Sequence, residues 1–309
     1  MQENKKPLIS ICIPTYNRAK MLEESLNKML YQLTTSELLD FIEVIISDND
    51  SKDNTKELVT KLAKEYNNIR YYRNNHNIWW LANIMKVAEY ANWKYIWLLS
   101  DDDCVTDFSL WYILEIINKE NFDVMFCNSV SSENMNIEIK KGKNTYHVFD
   151  GISKYLNYLK NNYKWYKNLI SFFSFYSILI IKTEYFRTGV LNFQSNINWN
   201  DFPHDIVTYH NLVNKRIIIP NNTFVIWRLL NEWYVWSVKL IKTFNQCMNF
   251  IESQNKLDGN PDWNYLKKIC KSWWTKNIIL WLITWKLHVN YKTNKFFKKI
   301  YYFYKKRIQ

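Results

Sequence analysis

The stretch "KYIWLLSDDDCV" at residues 94–105 decides the fold. Its first half is an apolar, aromatic run, and its second half holds three consecutive aspartates, Asp101, Asp102 and Asp103. Adjacent carboxylates repel one another, so something must offset their charge. A short apolar run that stops at a polar cluster is typical of a buried strand, and ligands bind beyond the carboxyl ends of such strands. Residues 94–99 are therefore predicted to form a central strand that ends at a ligand site.

Strands and helices alternate on either side of this stretch. Short apolar runs predict strands at 8–14, 41–46, 69–72, 94–99 and 122–127. Apolar residues at helical spacing predict helices between them, at 20–33, from about Leu58 to Tyr66, at 80–91 and at 107–119. Strict alternation predicts an α/β fold with a mostly parallel, Rossmann-like sheet flanked by helices. The polar clusters at 15–18, 47–53 and 100–103 follow strands, so they are predicted to meet in one crevice.

The second half of the chain has a different pattern, because the alternation ends after about residue 130. Residues 131–147 are polar and predict a long loop, whereas 169–183 is rich in strand-forming residues. The segments "RIIIP" and "TFVIWRL" predict further strands. Beyond about residue 236 the apolar spacing is helical, which predicts a C-terminal helical extension.

Glycine is scarce, and this restricts how the chain can bind phosphate. The only four glycines are Gly142, Gly151, Gly189 and Gly259. A dinucleotide-binding loop or a P-loop needs clustered glycines, so both are excluded. A hard cation held by carboxylates and phosphate oxygens is the natural substitute. The alternative for the three aspartates is a solvated turn whose last acid caps the next helix.

The five cysteines and the apolar runs indicate where the chain works. The cysteines are widely spaced and odd in number, and no C-x-x-C occurs, which favours a reducing cytoplasm over a disulfide framework or a structural zinc site. Residues 1–6 do not begin a signal peptide. The longest apolar run, at 277–285, is shorter than the roughly 20 residues of a membrane-spanning helix. We expect a cytoplasmic protein.

A second acidic cluster, "SDNDSKDNT" at 47–55, follows the strand predicted at 41–46. Asp48 comes first after that strand, and its carboxylate suits the imide N–H of uracil or thymine. The alternative is a polar loop that caps the next helix, with Asp53 or Asn54 as the cap.

Three segments together resemble a known family. The segments "ISICIPTYNR" (9–18), "VIISDNDSKDNT" (44–55) and "YIWLLSDDD" (95–103) resemble, in order and spacing, the family-2 inverting glycosyltransferases of the GT-A fold. The resemblance covers roughly residues 8–130. It implies a GT-A fold, a nucleoside-diphosphate-sugar donor and a divalent metal, Mn²⁺ or Mg²⁺.

The resemblance also implies roles for individual residues. It assigns the nucleotide-flanking loop to Pro14, Thr15, Tyr16 and Asn17, the base to Asp48, and further donor contacts to Asn77 and Asn83. It assigns the ribose and the metal to Asp101 and Asp103, with Asp102 close by. Asp103 is the first choice as metal ligand because it ends the D-x-D frame, and Asp101 is the second.

One position departs from the family pattern. Trp79 stands where a glycine is usual, and Leu81 stands where some members carry an aspartate. A bulky Trp79 is expected to narrow or reshape the nucleotide edge of the pocket. The alternative is that Trp79 and Trp80 are simply core residues.

The catalytic base is expected in "DFPHDIVTYH" at 201–210. An inverting transfer needs one general base for the acceptor hydroxyl, and the family usually supplies it from an acidic pair just before a helix. Asp205 fits best, with Asp201 in reserve; the alternative is that Asp205 caps the helix that begins near 206. His204 and His210 are weak candidates for acceptor contacts, and a structural role is the alternative.

The C-terminal segment is strongly basic and aromatic. Residues 263–309 carry 12 Lys and Arg and no acid, which accounts for the whole net charge of +12. Aromatic and cationic residues on separate helical faces, without spanning length, predict an interfacial membrane helix. The alternatives are a helical bundle that covers the catalytic domain and, less favoured, nucleic-acid binding, for which no recognition module is present.

These patterns predict three parts and one activity. The parts are a nucleotide-sugar-binding half at 1–130, an acceptor-binding and catalytic half at 131–235, and a membrane-associating helical region at 236–309. The predicted enzyme is a metal-dependent inverting glycosyltransferase that uses a UDP-sugar and a glycan acceptor, expected to be lipid-linked, at the cytoplasmic face of the inner membrane. The alternatives are a sugar-1-phosphate nucleotidyltransferase, which lacks the required glycine-rich loop here, and a non-catalytic membrane-surface or nucleic-acid-binding protein.

Overall fold

The computed structural model describes residues 8–162, 176–194 and 214–228. Within these ranges the helices are α1 (Ala19–Thr35), α2 (Thr55–Glu65), α3 (Trp80–Glu89), α4 (Ser109–Lys119), α5 (Ile152–Asn162) and α6 (Thr183–Gln194). The strands are β1 (Ile9–Thr15), β2 (Ile42–Asp48), β3 (Ile69–Arg73), β4 (Tyr95–Leu98), β5 (Cys104–Val105), β6 (Val124–Phe126), β7 (Asn128–Ser132), β8 (Tyr146–Asp150), β9 (Leu179–Lys182), β10 (Arg216–Pro220) and β11 (Thr223–Arg228). A 3-10 helix at Tyr176–Ile178 precedes β9.

The main sheet has eight strands in the order β3-β2-β1-β4-β9-β6-β10-β8. Strands β3, β2, β1 and β4 are parallel neighbours, and β6 is parallel to β10. Strand β9 runs antiparallel to both β4 and β6, and β8 runs antiparallel to β10. The mostly parallel α/β sheet predicted from the sequence is therefore confirmed.

The central strands are buried along their whole length, and this is why their sequences are continuous apolar runs. Every residue of β1, β2 and β4 is buried. Side chains alternate between the two faces of a strand, so such burial requires cover on both faces of the sheet. Helix α3 packs against β1 and β2, and α2 packs against β3. The largest fully buried side chain is Trp97, whose indole N–H donates to the Ser177 carbonyl at 2.7 Å.

The predicted elements in the first half differ from the observed ones mainly at their ends. Strand β1 extends to Thr15 and β2 extends to Asp48, one or two residues beyond the apolar runs. Two of the polar residues proposed to bind the sugar-nucleotide donor, Thr15 and Asp48, are therefore the last residues of strands. Their backbone positions are fixed by the sheet rather than by a loop.

A second sheet was not predicted. It has three strands in the order β5-β11-β7, with β11 antiparallel to β5 and parallel to β7. Strand β5 is only two residues long and begins directly after Asp103. A strand of two residues is too short to show a periodic pattern, so it cannot be predicted from the sequence. The predicted loop at 131–147 is interrupted at both ends, by β7 and β8, and α5 and α6 were also not predicted.

The chain forms two compact units, and the site lies in the first. That unit contains the described residues 8–152, 176–194 and 214–228, whereas the second contains residues 153–162 of α5. The predicted division at 1–130, 131–235 and 236–309 stays a prediction. The expected C-terminal helical region lies outside the described residues.

Candidate functional site

Three loops meet at the carboxyl ends of β2, β1 and β4, as the polar clusters predicted. Thr15, at the end of β1, pairs in register with Asp48 at the end of β2. The Thr15 hydroxyl donates to Asp101 Oδ2 at 2.7 Å, and the Thr15 carbonyl accepts the Asn49 N–H at 2.9 Å. Thr15 therefore joins the loop after β2 to the acids after β4.

The acids after β4 form a tight turn, Ser100–Asp103, which we call the acidic turn. The Asp103 N–H donates to the Ser100 carbonyl, and the three aspartates are buried, with 4%, 9% and 5% of their surface exposed in chain order. Each of the six carboxylate oxygens accepts a hydrogen bond from the protein. The donors are Thr15 and Arg18 for Asp101, Arg18 and Ser100 for Asp102, and the Ser177 hydroxyl and Arg228 N–H for Asp103.

Two acids of this turn, Asp101 and Asp103, have raised pKa values. Burial raises the pKa of Asp101 to about 6, although Arg18 opposes that shift. Burial and the charge of Asp102 raise the pKa of Asp103 to about 7, against the hydrogen bond from Ser177. The hydrogen bonds of the turn therefore do not fully replace the solvation that the carboxylates lose, and one more positive charge would stabilise their ionised forms.

The carboxylate oxygens of Asp101 and Asp102 are suitable ligands for a hard cation. The Arg18 Nη1 atom lies 3.0 Å from Asp101 Oδ1 and 2.8 Å from Asp102 Oδ2, so the two carboxylates already converge on one cationic group. The oxygens of Asp103 are instead bound by Ser177 and Arg228, which come from other elements. Among the described residues, no group of three or more His, Cys, Asp or Glu side chains is arranged to hold a metal. Two carboxylates are nevertheless enough where phosphate oxygens and water complete the shell.

Asp48 lies at the base of the loop after β2 and is fully buried. Its Oδ1 accepts the Ser51 N–H at 2.8 Å, and its Oδ2 accepts the Tyr71 hydroxyl at 2.7 Å. The Arg73 guanidinium is 3.5 Å from the same Oδ2. A carboxylate offers about four acceptor positions, so three of them are taken. Because Asp48 is also fully buried, a nucleobase could reach its remaining acceptor position only if a neighbouring side chain such as Tyr71 or Arg73 moved aside.

Four asparagines around the same loop form what we call the asparagine network: Asn49, Asn74, Asn77 and Asn83. Asn74 donates to the side chains of Asn49 and Asn83, and Asn49 donates to Asn77. Asn83 is buried and also exchanges two hydrogen bonds with Ser47. The Asn83 side chain accepts two hydrogen bonds and donates one within the protein, so it supports the loop, and its contact with the sugar-nucleotide donor stays a prediction. Asn77 is exposed.

Trp79 lies beside this network and is not a core residue. Its side chain is 46% exposed, so the core alternative is wrong for this residue. Its backbone has φ 72° and ψ 146°, a region that glycine adopts readily and other residues rarely do. The Trp79 N–H donates to Asn77 Oδ1 at 2.9 Å, which fixes this conformation at the start of α3. The glycine that is usual here in the family would take the same backbone without strain.

The loop that the resemblance predicts to flank the nucleotide, residues 14–17, is hydrogen-bonded to the loop after β2. Asn17 has φ 53°, its N–H donates to the Ser51 hydroxyl at 2.9 Å, and its Oδ1 accepts the Lys52 N–H at 2.6 Å. Pro14 is buried in β1, whereas Tyr16 is 41% exposed. Tyr16 is therefore the residue of this loop with a large surface available to a ligand.

Comparisons with known proteins agree with this geometry. The model of "Glycosyl transferase family 2" matches residues 10–184, more than half of the chain. The chain belongs to glycosyl transferase family 2. The match includes β1, β2, β4 and the acidic turn, the segments on which the resemblance rested.

Named relatives of this family-2 chain are bacterial glycosyltransferases. The abequosyltransferase RfbV of Salmonella typhimurium is 32% identical over 201 residues, 64% of this chain and 59% of that protein. The GalNAc(5)-diNAcBac-PP-undecaprenol beta-1,3-glucosyltransferase of Campylobacter jejuni is 23% identical over 276 residues, 87% of this chain and 81% of that protein. The chain thus spans less than two thirds of the Salmonella relative.

A solved structure resembles the fold. The crystal structure of S. aureus TarS 1-349 superposes with a TM-score of 0.56 at 16% identity, covering 79% of this chain and 65% of that one. At this identity the likeness concerns the fold alone, and it confirms the predicted GT-A class. A further structure of the same protein, in complex with UDP-GlcNAc, superposes with a TM-score of 0.55.

Several residues of this family-2 site were not identified from the sequence. Arg18 lies in the segment 9–18 that carries the resemblance, which implies no role for it, and Ser177 lies in the strand-rich stretch 169–183. Arg228 was read only as part of a strand, yet its N–H binds Asp103 and its side chain donates to the Asp102 carbonyl at 3.1 Å and pairs with Glu24. No local pattern marks Ser177 or Arg228, because both reach the acidic turn only through the order of the strands.

Some predicted residues lie outside the described residues. They are Asp201, Asp205, His204, His210 and the basic segment 263–309. Their roles stay predictions. Within the described part of the chain, none of the helices combines the length and the apolar character needed to cross a membrane.

Proposed function

We propose that this family-2 chain transfers a sugar from a nucleoside diphosphate, a UDP-sugar, to a hydroxyl of a glycan, with a divalent metal at the acidic turn. The observation that carries the proposal is the convergence of Thr15, Asp48 and the acidic turn at the ends of three parallel strands. That is where open α/β sheets bind nucleotides.

The residues of the turn divide the work of holding the donor. Asp101 and Asp102 would hold the cation, whereas Asp103 fixes the turn to the 3-10 helix and to β11 through Ser177 and Arg228. When bound, the divalent metal neutralises the charge that develops on the leaving diphosphate. Asp103 remains the alternative ligand that the D-x-D frame favours.

The proposed site for the nucleobase consists of Asp48, Tyr71 and the asparagine network. Uracil would present its imide N–H to Asp48 after Tyr71 or Arg73 moves aside. Asn77, exposed at the rim, then offers its amide to the base or ribose. Thr15, Tyr16 and Asn17 line the same edge.

The transfer itself is a single displacement. The acceptor oxygen forms a bond to the anomeric carbon as the bond to the diphosphate oxygen breaks, and the hydroxyl proton passes to Asp205, with Asp201 in reserve. The products are the elongated glycan and the free nucleoside diphosphate. His204 and His210 are proposed acceptor contacts.

The acceptor is proposed to be a lipid-linked glycan of bacterial surface or glycoconjugate assembly. The name of the Campylobacter relative describes an undecaprenyl-diphosphate-linked acceptor for that protein. The basic aromatic segment 263–309 would hold this chain at the cytoplasmic face of the inner membrane.

Replacing Lys292, Lys295 and Lys299 by Glu in the full chain should reduce its binding to anionic vesicles and leave its binding to neutral vesicles unchanged.

A donor screen tests the proposed function. The full chain is heated with UDP-, GDP-, dTDP- and CDP-sugars, with and without Mn²⁺, and nucleotide release is measured with a polyprenyl-diphosphate-linked glycan. A UDP-sugar at 100 times its Kd should add about 2.7 kcal/mol of stability, only with Mn²⁺. Asp101→Asn is the matched control and should lose this effect. If no sugar nucleotide stabilises the protein or is turned over, the proposed function is wrong.

A further inference from the structure

Arg18 is the most unusual feature of the acidic turn. One nitrogen, Nη1, donates to two different carboxylates, Asp101 at 3.0 Å and Asp102 at 2.8 Å. This group carries two N–H donors, so both are used within the turn. The rest of the side chain is not enclosed, since 42% of its surface is exposed, whereas the carboxylates are nearly buried.

The position of Nη1 is one that a bound metal would need. A divalent cation bridging Asp101 Oδ1 and Asp102 Oδ2 must approach each oxygen to about 2.1 Å. The Arg18 nitrogen already lies close to these same two oxygens. Two cations in one gap between two carboxylates would repel strongly, so the metal and the guanidinium exclude each other there.

We infer that Arg18 is a resident cation, a side chain that occupies the metal position of the free enzyme and leaves it when the metal binds. The inference rests on the proposed function, because it concerns the metal of that same site. Arg18 is on this view a positioning residue: it keeps the Asp101 and Asp102 carboxylates aimed at one point, and its release is coupled to metal binding.

The exposure of the Arg18 side chain allows a metal to replace its guanidinium group between the two carboxylates. Arg18 precedes α1 by one residue, and its side chain lies at the surface rather than in the core. Release therefore requires rotation of an exposed side chain and no movement of the sheet. The hydroxyls of Thr15 and Ser100 hold the opposite oxygens of the two carboxylates throughout.

The test measures Mn²⁺ alone, without donor, on the full chain by calorimetry or by electron paramagnetic resonance. Arg18→Met keeps a side chain of similar length without charge, and Mn²⁺ should then bind about tenfold more tightly, the effect expected from losing hydrogen bonds between charged groups. Lys20→Met is the control, because Lys20 is exposed two residues away and its loss changes the net charge equally. It should leave the Kd within about twofold. Arg18→Lys restores a cation and should return the Kd toward the wild-type value.

Three results would overturn the inference. The first is an unchanged or weaker Mn²⁺ affinity in Arg18→Met, which would mean that a metal uses the opposite oxygens and leaves Arg18 in place. The second is an equal gain in Lys20→Met, which would reduce the effect to net charge. The third is no Mn²⁺ binding by any variant. If Arg18→Met does not fold, Arg18→Gln is measured in the same way.

The two proposals fail separately. A wild-type enzyme that uses a sugar nucleotide with Mn²⁺, together with an unchanged Mn²⁺ affinity in Arg18→Met, would remove the resident-cation role and keep the proposed function. Tighter Mn²⁺ binding in Arg18→Met, without turnover of any sugar nucleotide, would do the reverse.

Discussion

The loops that follow β2 and β4 are both acidic, yet they hold their acids in opposite ways. In the loop after β2, hydrogen bonds from Lys52 and Arg73 lower the pKa of Asp50, and hydrogen bonds from Thr55 and Ala19 outweigh burial and lower the pKa of Asp53. In the acidic turn after β4, burial raises the pKa of Asp101 to about 6 and of Asp103 to about 7.

The difference comes from the kind of donor and from exposure. Asp50 and Asp53 of the loop after β2 are at least partly exposed, and they accept hydrogen bonds from Lys52, Arg73, the Thr55 hydroxyl and N–H, and the Ala19 N–H. The three acids of the acidic turn are buried, and they share three hydroxyls, one guanidinium and the Arg228 N–H. The first loop is thus complete as it stands, whereas the second gains from an added cation. Acid content alone does not distinguish them.

The largest expected effect concerns the acidic turn. Asp101→Asn keeps the shape of the side chain but removes the charge that faces Arg18 and the cation, so sugar transfer should fall by about 100-fold or more. Initial rates at saturating donor measure this, with circular dichroism as a check of the fold. Asp50→Asn removes one charge from the other loop and should keep the rate within about threefold.

If Asp101→Asn and Asp50→Asn lose sugar transfer equally, the proposed difference between the two loops is wrong. The donor-free Mn²⁺ affinity separates a lost ligand from a distorted turn. Asp101→Asn should weaken it, whereas Asp50→Asn should not change it.

The next effect concerns the loop after β2. Asp53 Oδ2 accepts the Ala19 N–H at 2.9 Å, and its Oδ1 accepts the Thr55 hydroxyl and N–H, so one carboxylate caps the first turns of both α1 and α2. Asp53→Ala should lower the free energy of unfolding by about 1.5 kcal/mol. Urea denaturation measures the loss, with Asp40→Ala, an exposed acid before β2, as a control within about 0.5 kcal/mol. A loss no larger than that of the control would contradict the double cap.

A smaller effect of opposite sign is expected at Trp79. Because its backbone has φ 72° and its side chain is 46% exposed, Trp79→Gly should raise the free energy of unfolding by about 1 kcal/mol. Thermal denaturation measures the gain. The control is Trp111→Gly, which has similar exposure but lies inside α4, where glycine should cost about 1 kcal/mol.

The affinity of Trp79→Gly for the sugar nucleotide is a second measurement, which tests whether Trp79 contacts this substrate. If Trp79→Gly gains stability and loses affinity for the sugar nucleotide, the strained tryptophan serves the donor edge of the pocket. A loss of stability would mean that the side chain packs more than its exposure implies.

Much of the fold of the first half of the chain could be predicted from the sequence, because its strands and helices have clear local patterns of apolar residues. The buried strands β1, β2 and β4 are continuous apolar runs, and each ends at the polar residues that form the site. The rule that ligands bind beyond such ends then located the crevice. The exposed Trp79 was also marked correctly as a departure, although its positive φ could not be read from the sequence.

The partners of the acids could not be predicted, for a physical reason. Ser177 reaches Asp103 because β9 is inserted antiparallel between β4 and β6, and Arg228 reaches it because β11 pairs with β5. Both contacts depend on strand order across more than 70 residues of sequence. Arg18 was inside a quoted motif, but only the geometry of two carboxylates around one nitrogen indicates its role.

The smallest expected effect is a pH-dependent change in the free energy of unfolding when the charge of Asp53, in the loop after β2, is removed. Because the pKa of Asp53 is lowered in the folded state, its contribution to stability is present above the unfolded value of about 3.9 and is lost as the pH falls through the folded value. Asp53→Asn, which keeps an acceptor oxygen but not the charge at two helix N-termini, should therefore be about 0.5 kcal/mol less stable than wild type at pH 7. Once the pH is below the folded pKa of Asp53, the two proteins should unfold at the same urea concentration. A difference that persists at low pH would mean that Asp53 acts through the shape of its hydrogen bonds rather than through its charge, and the electrostatic contrast with the acidic turn would then lose this support.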